Sequence, residues 1–95
     1  MKIRQLRLFA DACDEGSLSG AAKRNRMSVQ NVSKAVGDLE RELGRPLFDR
    51  SGRGVAPTDA AWALLPYARM ALKAFELCES FGSSLRGPEP RPRAD

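Results

Sequence analysis

The chain contains no histidine, and its 95 residues include only two cysteines, one tryptophan and one tyrosine. Without histidine there is no imidazole general base, no Ser-His or Cys-His nucleophile and no Cys/His zinc site. The two thiols, Cys13 and Cys78, are too few and too far apart for a disulfide framework or a metal knuckle. No stretch of apolar residues reaches the length of a membrane span, and no charged-then-apolar leader opens the sequence. The expectation is a cytoplasmic protein with no membrane partner. Disorder throughout is excluded by the 42% of apolar residues. A chain of this size makes one domain that buries roughly 60–65% of its unfolded surface. A small basic domain without catalytic side chains favours binding over chemistry, and no cofactor is expected.

One further absence is local. Positions 16 to 37 hold Lys23, Arg24, Arg26 and Lys34 but no acid. The acids collect before this stretch (Asp11, Asp14, Glu15) and after it (Asp38, Glu40, Glu42). A cationic segment between acidic ones predicts one basic face.

Apolar spacing predicts the helices. Leu6, Phe9, Ala10 and Cys13 mark a first helix with one buried face, ending before Gly16. Ser17 or Ser19 can cap a short second helix through Ala21 and Ala22 to about Arg26. Ser28 caps a third, carrying Val32, Val36, Leu39 and Leu43, and Gly44 ends it. Two short helices joined by a tight turn make a helix-turn-helix. Pro46-Leu47-Phe48 and Val55-Ala56-Pro57, around a Ser-Gly-Arg-Gly tip, predict a β-hairpin wing.

Thr58 can cap a last, long helix over 59–81. It carries two apolar stripes, Ala61/Leu65/Ala68/Leu72/Phe75 and Leu64/Ala71/Ala74/Cys78/Phe81. A helix so broadly apolar is covered on two sides or paired with a second copy. Homodimerisation is therefore expected through Leu64, Leu65, Ala68, Leu72 and Phe75. Pro66 predicts a kink or break near 62–66. Residues 82–95, with three prolines in the last eight positions, read as a flexible tail. The expected organisation is thus a mainly α winged helix-turn-helix over 1–58, a linker and dimerisation helix over 59–81, and the tail.

The first turn of the third helix has the chemistry to read DNA. A helix fits the major groove and reaches base edges with its first turn. Val29 can meet a thymine methyl, Gln30 and Asn31 can pair bidentately with adenine, and Ser33 and Lys34 suit base or phosphate. Ser28, Lys34 and Arg50 are the expected phosphate contacts.

The run Ser17-Leu18, Ala21-Ala22, Met27-Ser28, Val32-Ser33, and above all the block Leu39-Glu40-x-x-Leu43-Gly44-x-Pro46-Leu47-Phe48-x-Arg50, resembles the N-terminal domain of LysR-type transcriptional regulators. Pro57-Thr58 and Leu64-Leu65-Pro66 fit as well. The resemblance covers about residues 2–80. It implies a winged helix with a linker helix that pairs antiparallel with its twin, and a third helix that reads major-groove bases. It also implies a wing arginine, Arg53, at the minor groove, where negative potential attracts Arg. The partners it implies are double-stranded promoter or operator DNA, a second copy of the chain and RNA polymerase. The family's sensor domain is not in this sequence, so the chain is expected to be either a fragment of a longer regulator or a stand-alone regulator. The fragment is favoured because the tail falls where the interdomain hinge lies. A small-molecule effector is expected only if a sensor domain exists.

The chain departs from the family pattern at three positions. Asn25 replaces a usual Leu, and is expected to be part-exposed or hydrogen-bonded to the turn, since a buried polar group without partners costs about 1–3 kcal/mol. Val29 replaces a common Gln, which shifts base preference. Ala61 replaces a usual Gly. With the doubly apolar last helix, Asn25 and Val29 motivate an alternative, a winged-helix protein-interaction module that dimerises without specific DNA binding. Asp38 and Glu42 read as surface ion-pair formers rather than an acid/base couple, and the two thiols as inert.

Overall fold

In a computed structural model, which describes residues 1–52 and 54–86, the chain forms four helices and one two-stranded sheet. The order is α1 (Ile3–Glu15), α2 (Leu18–Asn25), α3 (Val29–Leu43), β1 (Phe48–Asp49), β2 (Ala56–Pro57) and α4 (Asp59–Arg86). The strands are antiparallel, with Phe48 opposite Pro57 and Asp49 opposite Ala56.

The helix limits follow from their caps. Ser17 Oγ accepts from Gly20 N at 2.9 Å, and Ser28 Oγ from Asn31 N at 3.1 Å. These bonds satisfy amides that no helical carbonyl can reach. Gly16 and Gly44 close α1 and α3 at φ 69° and 73°, a left-handed turn in which glycine carries no Cβ penalty. Thr58 holds the start of α4 in place: its hydroxyl donates to Pro46 O at 2.8 Å and accepts from Ala61 N at 3.3 Å.

α1 is the central element. One buried face was expected, yet Leu8 and Ala12 are buried as fully as Leu6, Phe9 and Ala10. The reason is tertiary: α2, α3 and α4 all pack against α1, so it has no broad solvent face. Phe9 meets Phe48 with ring centroids 5.8 Å apart and tilted by 54°, tying the base of the wing to α1. Ala21 and Ala22, both buried, let α2 approach closely.

α4 differs from its expectation in two respects. It is continuous through Pro66, with no break, and it takes in residues 82–86, which were expected to belong to the tail. Pro66 lies on the exposed side, as does Trp62 four residues back, so the missing amide falls on the helix face turned to solvent rather than to the core. The part of the expected tail from 87 to 95 lies outside the described residues. No described helix is long and apolar enough to cross a membrane.

Candidate nucleic-acid interface

The candidate interface is built on α3, whose opposite sides have different tasks. Val32, Val36 and Leu39 are fully buried and hold the helix to the body. Val29, Gln30, Asn31 and Lys34 are exposed, and Ser33 is half-buried at one edge. The expected base-contacting residues therefore share one open surface. It starts at the cap residue Ser28, also exposed, where the positive end of the helix dipole favours a phosphate.

The block from Leu39 to Arg50 acts as a splint between α3 and the wing. The Glu40 carboxylate accepts from the amides of Leu47 at 2.7 Å and Phe48 at 3.2 Å, and its other oxygen meets Arg50 Nη2 at 3.4 Å. Leu47 and Phe48 bury their side chains in the core below. Arg50 also donates to Ser33 Oγ at 3.4 Å, so one guanidinium bridges the wing and α3. Ser33, Arg50 and Glu40 are thus brought together. Glu40 had no place among the expected site residues, because its partners are backbone amides that no residue pattern displays.

Lys34 Nζ lies 3.1 Å from Asp38 Oδ2, one turn further along α3, and Arg41 pairs with the same carboxylate. The Lys34 hydrogen bond, ahead of other influences, holds the Asp38 carboxyl below its ordinary range. Both ion pairs are exposed, so the Lys34 ammonium exchanges Asp38 for another anion at little cost. Arg53, the expected wing contact, lies outside the described residues.

Asn25 is half-buried, and its partners differ from those expected. Its Nδ2 donates to Asp11 Oδ2 on α1 and to the Ala21 carbonyl of its own helix, both at 2.8 Å. The polar residue is accommodated because α1 supplies a carboxylate. Arg24 adds ion pairs to Asp11, Asp14 and Glu15 at 3.3–3.8 Å.

On α4 the two apolar stripes divide. Ala61, Leu65 and Ala68 are buried in the chain's own core, with Leu72 half-buried beside them. This corrects the expectation that Leu65 and Ala68 meet a second copy: α1 already covers them. Phe75, beyond the body, is 38% exposed. The outward stripe starts at half-buried Leu64 and continues through Tyr67, Ala71, Ala74, Cys78, Phe81 and Leu85 in alternating steps of three and four. Tyr67 and Leu85 were not among the expected residues, although the same spacing, continued from Leu64, reaches both. Near the root of α4 an apolar groove of about 430 Å³ is lined by Leu43, Leu47, Ala60, Ala63, Leu64 and Tyr67.

Residues 3–62 match the model of the bacterial regulatory helix-turn-helix proteins of the lysR family. The HTH-type transcriptional regulator TfdS of Cupriavidus pinatubonensis is 44% identical over 73 residues, which are 77% of this chain and 25% of that protein. The chain thus spans about a quarter of the length of this curated relative. Among solved structures, an OxyR C206 mutant of Corynebacterium glutamicum superposes with a TM-score of 0.85 at 34% identity, over 90% of this chain and 28% of that one. The CbnR_DBD-DNA complex superposes with a TM-score of 0.81 at 31% identity, over 92% of this chain and 100% of that one.

Proposed function

The chain belongs to the LysR family of bacterial helix-turn-helix regulators, and from that premise we propose that it binds double-stranded DNA sequence-specifically, as a homodimer, to regulate transcription. The observation that carries this reading is the open first turn of α3, which presents Val29, Gln30 and Asn31 beside Lys34 on one surface. Val29, Gln30 and Asn31 read base edges, with Ser33 and Lys34 at the margin of the same groove. Ser28, Lys34 and Arg50 meet phosphates, and Arg53 meets the minor groove. The likeness to a DNA-bound relative supports the same approach of α3 to the duplex.

Dimerisation proceeds through the outward stripe of α4. Its three-four spacing is that of a helix–helix seam, and Phe81 and Leu85, 63% and 71% exposed, are too apolar to leave in water without a partner. In an antiparallel pair, Leu64 and Tyr67 of one copy meet the Phe81 end of the other, with Leu72 and Phe75 flanking the seam. The two reading helices then address half-sites about 34–36 Å apart or a multiple of that spacing. RNA polymerase and promoter DNA are the partners of the resulting regulator.

Footprinting on the intergenic DNA beside the chain's own reading frame tests the proposal. A protected region with two half-sites is expected. Gln30→Ala and Asn31→Ala each cost about 1–3 kcal/mol on the preferred site and relax its sequence preference. Absence of a protected site, or unchanged DNA binding by the combined Gln30, Asn31 and Lys34 alanine variant, would leave the protein-interaction reading in its place. Phe81→Glu should convert the dimer to monomer in sedimentation equilibrium.

A further inference from the structure

α3 has a second charged edge. Opposite the edge that carries Ser33 and Arg50, a groove of about 260 Å³ separates α3 from the start of α1, with Lys2, Arg4, Met27, Asn31, Lys34 and Asp38 in its walls. The start of α1 is fastened there. The Met1 amine pairs with Glu42 at 2.8 Å, and the Lys2 amide donates to Gln5 Oε1 at 2.8 Å. Arg4 Nη2 reaches only the Met27 sulfur, at 3.6 Å, which is a weak acceptor. Among the described residues neither Lys2 nor Arg4 has a carboxylate partner, and both are exposed. The acids on this edge are already engaged, Asp38 by Lys34 and Arg41, Glu42 by the Met1 amine. The groove therefore carries an excess of positive charge on the edge of α3 away from Ser33 and Arg50.

We propose that Lys2 and Arg4 form a second phosphate site, which grips the DNA backbone on the side of the major groove opposite Arg50. The inference rests on the reading that α3 enters the major groove. That groove is about 12 Å wide, so a helix lying in it has a phosphate wall on either side. On α3 one edge offers Arg50 and the other offers Lys2 and Arg4. Two cationic edges around one reading surface fix the depth and roll of the helix, which base contacts from a single turn leave free. The site is blind to sequence, since phosphates carry no base identity.

The experiment measures binding of the whole chain to a 30-base-pair duplex of mixed sequence by fluorescence anisotropy between 50 and 200 mM NaCl. Each lost phosphate contact makes the slope of log K against log salt shallower by about 0.9. Arg4→Ala should flatten the slope by about 0.9, and Lys2→Ala with Arg4→Ala by about 1.8. The penalty of the double variant then shrinks about 12-fold across that salt range. Lys73→Ala, which removes a cation from exposed α4, should leave the slope as it is. Circular dichroism confirms the fold. If the double variant keeps the parent slope while Lys34→Ala and Arg50→Ala flatten it, the second site is wrong and the α3 reading stands. If no variant alters the slope, the α3 reading falls and takes this site with it.

Discussion

Replacing Glu40 by alanine tests whether its carboxylate splices the wing to α3. The carboxylate is 18% exposed and accepts two backbone amides, those of Leu47 and Phe48, at 2.7 and 3.2 Å. Alanine leaves both amides part-buried with no acceptor, at about 1–3 kcal/mol each, partly relieved by water, so Glu40→Ala should cost about 2–4 kcal/mol. Total stability for a chain of this length is about 5–14 kcal/mol, so the loss is a large fraction of it. In melting temperature it corresponds to a fall of about 10–25 °C. Glu40→Gln retains one acceptor oxygen and should cost only about 1 kcal/mol. Arg50→Ala removes a 3.4 Å ion pair at the surface and should stay within about 1 kcal/mol. Thermal and urea unfolding at one fixed protein concentration measures the three, so that any self-association enters each alike. Amide exchange adds a local readout: Leu47 and Phe48 should lose protection first. A Glu40→Ala variant within about 0.5 kcal/mol of the parent, with both amides still protected, would refute the splint.

Three other outcomes follow from the packing. A Cβ added at Gly20 would sit 2.6 Å from Glu15 Cβ, an atom fixed by the backbone of α1. Gly20→Ala should therefore lower the melting temperature, because overpacking of about 1–3 kcal/mol outweighs a helix-propensity gain of about 1 kcal/mol; a rise would sink the argument. Asn25→Ala should cost about 1–2 kcal/mol in urea unfolding by removing the charge-assisted bond to Asp11, and a neutral result would show that Arg24 alone satisfies that carboxylate. Burial, assisted by Asp14, pushes the Cys13 thiol from 9.0 up to about 11, cutting its thiolate fraction at pH 8 about 100-fold. Cys78, expected to be inert like Cys13, is instead exposed, so a thiol reagent should modify it well ahead of Cys13, and equal rates would contradict the burial of Cys13.

How far the sequence could be read depended on whether a residue's role is local. Ser28, Gly44 and the Val32/Val36/Leu39 stripe act within a turn or two of helix, and all three were legible from spacing and residue type. The block Leu39 to Arg50 was legible as a family signature, but not as a mechanism, because Glu40 binds main-chain amides. The double burial of α1 could not be read from its pattern, since Leu8 and Ala12 are called inward by helices distant in the chain. The same holds for α4: two stripes were visible, but which one α1 would cover depended on the angle at which α4 returns to the body. Of the kink or break expected at Pro66, a break does not occur: the helix continues through a proline that sits on its exposed side.

That length gives α4 the character of a lever. At 1.5 Å per residue it is about 42 Å long, and its middle is braced to α1 by Arg69–Asp14 at 3.0 Å and Arg7–Glu76 at 3.8 Å. About 15–26 Å of helix lies beyond these braces, so a tilt of about 5° there would swing the Arg86 end by about 1.3–2.2 Å. In the proposed dimer joined through α4, those two surface ion pairs would stand at the fulcrum, and the angle they hold would set how far apart the two bodies sit.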